Sequence, residues 1–162
     1  MRAQPFYRKC RRLQWREKLA TLRLMPTALP FEPSSVRTSA NGIISLWSRP
    51  PIAYTRVKGH FPREHAGHLI KLVDSIVATG SSVEQYHDWG DMTSYDMTSQ
   101  TDLTMWTVKI RRNVRALTIL VHSPLVIGGV RMANSMLKGM IHVCQDRQEF
   151  EQLLVARLSR AA

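Results

Sequence analysis

The sequence predicts an α/β fold, a mixed β-sheet flanked by helices in the order ββαβαβαβα. Three observations carry that prediction. From residue 43 onward, short β-prone runs alternate with apolar stripes at three- and four-residue steps, the mark of strands alternating with helices. Residues 116–121 are almost wholly apolar, as expected of a strand covered on both faces. Asn41-Gly42, Pro50-Pro51, Gly59 to Pro62, Gly80 and Ser123-Pro124 fall where one run gives way to the next.

In chain order, Ile43 to Trp47 and Ile52 to Lys58 read as two strands joined at Arg49-Pro50-Pro51. Pro62 suits a first helical turn, where its missing N–H is not needed. Leu69, Leu72, Val73, Ile76 and Val77 then form a helical stripe stopped by Gly80. A third strand starts at Val83 and ends near Asp88, and Leu103, Trp106 and Ile110 mark a helix lying on the sheet. After the strand over residues 116–121, Ser123-Pro124 opens a helix with Ile127, Val130, Asn134 and Leu137 along one side. Gly128-Gly129 allows that helix a close approach to the sheet. Met140 to Cys144 is a short edge strand. Asp146 with Glu149 forms a capping-box-like start for a last helix carrying Phe150, Leu153, Leu154 and Leu158.

Composition narrows the class. A chain of 162 residues has room for one domain and a tail, and a hydrophobic fraction of 44% suffices for a buried core. No apolar run approaches the ~20 residues of a membrane-spanning helix. Cys10 and Cys144 lie far apart without a CxxC partner, which fits free thiols in a reducing, cytoplasmic setting. The net charge of +11 is uneven. Residues 1–30 hold eight Lys or Arg against Glu17 alone, a net of +7, leaving +4 for residues 31–162. We therefore divide the chain into a basic extension over residues 1–25, a Pro- and Ser-rich linker over 26–42, and a domain over 43–162. The extension, with Met25 as an alternative start, is a candidate contact for nucleic acid or an anionic membrane surface; its plainer reading is an untethered terminus.

Function should sit in the polar stretch over residues 88–99, read as a loop, because ligands of open α/β sheets bind outside the carboxyl ends of the strands. Asp88, Trp89, Asp91, Ser94, Tyr95 and Asp96 are its candidate contact residues. Asp88, Asp91 and Asp96 lack the spacing of a Ca²⁺ loop. His60, His65 and His68 lack the H-E-x-x-H order, and His65 and His68 are read as partly exposed residues on the first helix rather than ligands, so no metal and no cofactor is expected. Trp89 and Trp106 either pack the helix and loop or line an apolar pocket. No acid–base or nucleophile pair stands out, and the expectation is a protein that is not an enzyme.

The runs Y-H-D-W-G-D-M-T-S-Y-D, L-T-M-W, A-L-T-I-L-V-H-S-P-L-V-I-G-G-V-R-M-A-N and D-R-Q-E-F-E-Q-L-L resemble the SpoIIAA-like branch of the STAS superfamily, over about residues 43–160. The resemblance implies a STAS-like sheet. It also implies an anti-sigma-factor antagonist-like role in bacterial signalling, with a protein partner such as a kinase or anti-sigma-type regulator. In that branch a serine following an aspartate at a helix start is phosphorylated, and the added charge breaks the partner contact. Here Met97 stands in that serine's place after Asp96, leaving Thr98 and Ser99 as candidate phosphoacceptors; either would also serve as a helix N-cap. SpoIIAA-like domains also resemble the lipid-binding SEC14 group in fold, which makes a lipid or small hydrophobic ligand the alternative.

Overall fold

Chain connectivity and strand pairing together put the centre of the molecule on one long strand. The computed structural model describes residues 32–160; the basic extension lies outside them. Its elements are β1 (Ser35–Thr38), β2 (Gly42–Arg49), β3 (Ile52–Phe61), α1 (Arg63–Val77), β4 (Val83–Tyr95), α2 (Met97–Ile110), a 3-10 turn (Arg111–Asn113), β5 (Val114–Val121), α3 (Pro124–Met136), β6 (Ile141–Cys144) and α4 (Arg147–Leu158). The six strands lie in chain order in one sheet, with β1–β2–β3 antiparallel and β3–β4–β5–β6 parallel. The predicted mixed α/β order is present with one strand added. That strand, β1, comes from the expected linker and pairs with β2 through a turn closed by Ser39 N donating to Gly42 O at 2.8 Å.

Each parallel step crosses over through a helix, and α1, α2 and α3 share one face of the sheet. Val83, Gln85, His87 and Trp89 point to that face from β4 by strand alternation. Leu69 and Val73 of α1 and Val126 and Val130 of α3 pack there with Val57, Phe61, Leu117 and Ile119. The alternate β4 residues Glu84, Tyr86 and Asp88 point the other way, toward α4. Phe150 of α4, fully buried, meets Tyr86 edge-on at 6.2 Å between ring centres.

The expected loop over residues 88–99 is not a loop. β4 continues through it as far as Tyr95, paired with β3 out to Phe61, and α2 starts two residues later. The reason lies in β3, which runs three residues past the expected end at Lys58. Gly59, at φ +77°, and two register shifts, each with its extra residue on β4, let β3 keep supplying hydrogen-bond partners to the second half of β4. Polar residues that read as a turn instead face polar neighbours across the strand pair, Asp88 opposite Arg56 and Asp91 opposite Lys58.

Two smaller expectations also change. His65 is buried rather than partly exposed, because it falls on the inner side of α1 with Ala66 and Leu69, edge-on to Phe61 at 5.9 Å. On α2 the fully buried positions are Ser99, Thr104 and Thr107, while Leu103, Trp106 and Ile110 are only half-buried. Leu103 and Trp106 line a cavity instead of closing a dry seam.

Candidate functional site

β4 carries polar side chains on both faces, and a central parallel strand is normally apolar on both. Each buried polar group therefore has to find a partner or stand ready for one.

On the α4 face, the carboxylate of Asp88 is 1% exposed. It accepts from Arg56 Nε at 2.8 Å, from Arg147 Nη1 and Nη2 at 2.8 and 3.2 Å, from the Gly90 amide at 3.2 Å and from the Tyr54 hydroxyl at 3.4 Å. Burial pushes this carboxyl up, but the Arg147 and Arg56 guanidiniums outweigh it and hold it below its ordinary value. Glu84, equally buried, is gripped two-handed by Arg157. Both arginines belong to α4, so this face is a clamp that fastens the last helix to the sheet.

On the opposite face, Thr55 Oγ1 lies 2.8 Å from His87 Nδ1, and His87 Nε2 lies 3.2 Å from Gln85 Oε1. A carbonyl oxygen can only accept, so Nε2 carries the ring hydrogen and Nδ1 accepts from the Thr55 hydroxyl. Burial pushes the His87 imidazole down to about 3, which keeps it neutral. Its ring stacks on Trp89 at 5.3 Å, and Trp89 meets Phe61 at 5.8 Å.

Above this row lies a partly open cavity of about 70 Å³, several times the ~10–15 Å³ that one water needs. Gln85, His87 and Trp89 form its floor, α2 its roof through Gln100, Leu103 and Trp106, and Val130 of α3 part of its wall. The wall is mostly apolar. Among the described residues, three buried polar atoms of its lining have no hydrogen-bond partner: Gln85 Nε2, Trp89 Nε1 and Gln100 Oε1. Gln100 is held in place from its other end, where Nε2 donates to Gly129 O at 2.9 Å. A Cβ at Gly129 would lie 2.3 Å from the Tyr95 hydroxyl, so a side chain there would displace the Tyr95 ring from the cavity wall. Trp106 Nε1 donates to Asp74 Oδ1 at 3.0 Å and ties the roof to α1.

The six expected contact residues are thus divided rather than gathered. Asp88 and Trp89 are buried on opposite faces, and Tyr95 lines the cavity. Asp91 is exposed. Ser94 and Asp96 join His60 in a clasp: Ser94 Oγ lies 2.8 Å from His60 Nδ1, and His60 Nε2 lies 3.1 Å from Asp96 Oδ1. These are the groups of a serine-hydrolase relay, wired in reverse, with serine on Nδ1 and carboxylate on Nε2. The second Asp96 oxygen accepts from Arg63 N at 3.1 Å and so caps α1. Asp96 therefore joins the start of α1 to the end of β4, and it makes no side-chain cap to its own helix. Of the two candidate phosphoacceptors, Thr98 is exposed, while Ser99 is fully buried with its hydroxyl donating to Phe61 O at 3.3 Å.

Sequence reading named Trp89 and Trp106 as pocket candidates but missed Gln85 and Gln100. The available signal was V-E-Q-Y-H-D-W, in which both alternating sets of a central strand include polar residues.

A comparison with solved structures finds a crystal structure of an uncharacterised protein of the DUF3478 family from Shewanella loihica PV-4, described as having a SpoIIAA-like fold. It is 15% identical, covers 73% of this chain and 99% of its own, and superposes with a TM-score of 0.53. The chain thus has a SpoIIAA-like α/β fold. No family model and no curated protein matches it. Among the described residues no helix is long and apolar enough to cross a membrane.

Two predictions follow from the two faces of β4. Asp88→Ala removes the shared acceptor of two guanidiniums that are each about a third exposed, and should cost about 1.5–3 kcal/mol in denaturant unfolding; a loss under about 1 kcal/mol would mean the clamp is not what holds α4. Burial also lowers the His65 imidazole, in the same direction as His87. Below about pH 6.5 the unfolded chain gains protons that the folded His87 refuses down to about pH 3, so stability is full above this window and falls as the pH drops through it. Through His87 alone the unfolding free energy should decline by about 1.4 kcal/mol per pH unit, and His87→Gln should flatten the decline. A profile flat from pH 6.5 to 4 would contradict a neutral buried His87.

Proposed function

We propose that this chain is a non-enzymatic binding module of STAS type, whose ligand is a small, mostly apolar molecule with one polar end, held between β4 and α2. A single observation supports this most directly: an apolar cavity whose lining leaves two donors and one acceptor without partners. Each such group, left without a partner, would cost about 1–3 kcal/mol, and among the described residues none has one, so the partner has to come from inside the cavity. A site shaped only by packing would replace such groups with apolar ones of the same shape. A ligand with a carbonyl or carboxylate end would satisfy the indole and amide donors of Trp89 and Gln85, and its apolar body would lie against Leu103 and Val130.

Trp89→Phe tests this, because it removes the N–H and keeps a ring. The unliganded variant should be as stable as the parent or more so, while hexanoic acid or hexanamide, each with a carbonyl acceptor, should bind it several-fold more weakly, read by calorimetry. Equal binding by both, or a large loss of stability, would count against the reading. So would native mass spectrometry that finds no bound species after expression and no uptake of either probe. Turnover of a simple ester that is abolished by Ser94→Ala would overturn the non-enzymatic part.

A second reading, contact with a protein partner in bacterial signalling, is favoured by the outer side of the same helix. Met97, Met105 and Val108 are 61%, 49% and 44% exposed along one side of α2, with Thr98 beside them. Methionine-rich surfaces adapt well to partners. Phosphate on Thr98 would set two negative charges beside this apolar stripe and oppose such a contact. Incubation with cell extract and ATP should then label Thr98 and spare Ser99; label on Ser99 or on neither would reject the switch.

A further inference from the structure

On the far edge of the sheet, away from the cavity, three potential metal ligands converge from two elements. His142 and Cys144 are two residues apart on β6 and therefore project to the same face, the one that carries α4. Asp146 caps α4, its carboxylate accepting from Gln148 N at 2.6 Å and Glu149 N at 3.2 Å. That cap sets the first turn of the helix so that Glu149 reaches back over the strand, with Oε1 3.5 Å from His142 Nε2. The Cys144 sulfur completes the group, and one ligand atom from each of the three lies within 4.8 Å of the others.

We propose that His142, Cys144 and Glu149 bind a borderline-soft divalent transition-metal ion, with Zn²⁺ the best fit and a solvent molecule as fourth ligand. Tetrahedral coordination at ordinary Zn–S, Zn–N and Zn–O lengths sets ligand atoms about 3.4–3.8 Å apart, so the group has to contract by roughly 1 Å. It is free to do so from one side: His142 and Glu149 are 56% and 54% exposed, while Cys144 is fixed in the protein at 1%. A thiolate and an imidazole select against Mg²⁺ and Ca²⁺, which take oxygen ligands. Three protein ligands with an open position are the coordination of a site that keeps an exchangeable water.

Electrostatics favour the same occupant. Burial, then Glu149 and Asp146, push the Cys144 thiol up to about 11. Both carboxylates act on the thiol in the same direction as burial. A divalent cation reverses that balance, and binding releases the thiol proton to solvent. The exposed His142–Glu149 contact on its own is worth little and gives no role to the cysteine.

The test is a Co²⁺ titration of the reduced full chain, followed by absorption. The wild type should develop sulfur-to-cobalt charge transfer in the near ultraviolet with visible bands of tetrahedral strength, and Zn²⁺ should bleach both. Cys144→Ser should lose the charge transfer and Cys10→Ser should keep it. Glu149→Gln, a surface change that leaves the cap intact, should weaken binding about tenfold or more. The absence of charge transfer in the wild type, its survival in Cys144→Ser, or undiminished affinity in Glu149→Gln would each overturn the site.

Discussion

A buried carboxylate between two guanidiniums sets the terms for the rest of this molecule. Asp88 sits at the middle of the central strand, reached by β3 through Arg56 and by α4 through Arg147. An ion pair this deep adds little net stability over a well-packed apolar core. Its value is geometric, because five donors converge on two oxygens and leave β4 one register in which all are met. The same strand is thereby fixed for its other face, where alternation brings Gln85, His87 and Trp89 to the floor of the cavity. One strand therefore both fastens α4 and presents a polar row to the space beneath α2.

The two faces resolve their polar groups differently. On the α4 side both carboxylate oxygens of Asp88 and of Glu84 accept from arginine, tyrosine or backbone. On the helix-covered side Thr55, His87 and Gln85 satisfy one another in a line, and the line ends in an amide with no partner. Trp89 and Gln100 add two more unmet atoms around the same cavity. Buried polar networks are stable when complete, and an incomplete one beside a cavity is the arrangement that a ligand completes.

Most of the element order could be read from the sequence, because hydrophobic period and punctuation agree there. The helical stripe from Leu69 to Val77 appears as α1, and the apolar run over residues 116–121 appears as most of β5. β4 was read seven residues too short. Asp88, Asp91, Ser94 and Asp96 carry loop-like chemistry, and nothing local shows that β3 runs on beside them to supply Arg56, Lys58 and His60. β1 escaped for a related reason, since a strand of four residues among prolines and serines has meaning only once β2 lies beside it. The candidate site was half legible. Aromatic size marked Trp89 and Trp106, whereas Gln85 and Gln100 matter through what they fail to touch, and that is a property of packing. The grouping of His142, Cys144 and Glu149 likewise depends on α4 folding back over the edge strand.

The proposed ligand role depends most heavily on the unmet donors of the β4 row. The most direct measurement is nitrogen-15 NMR of the Trp89 indole and the Gln85 and Gln100 side-chain amides during addition of hexanoic acid. The account predicts that these resonances move together and saturate together, with the Trp89 indole proton shifting downfield as it gains an acceptor. Resonances that stay in place while the ligand binds elsewhere, or an indole already hydrogen-bonded before ligand is added, would contradict it.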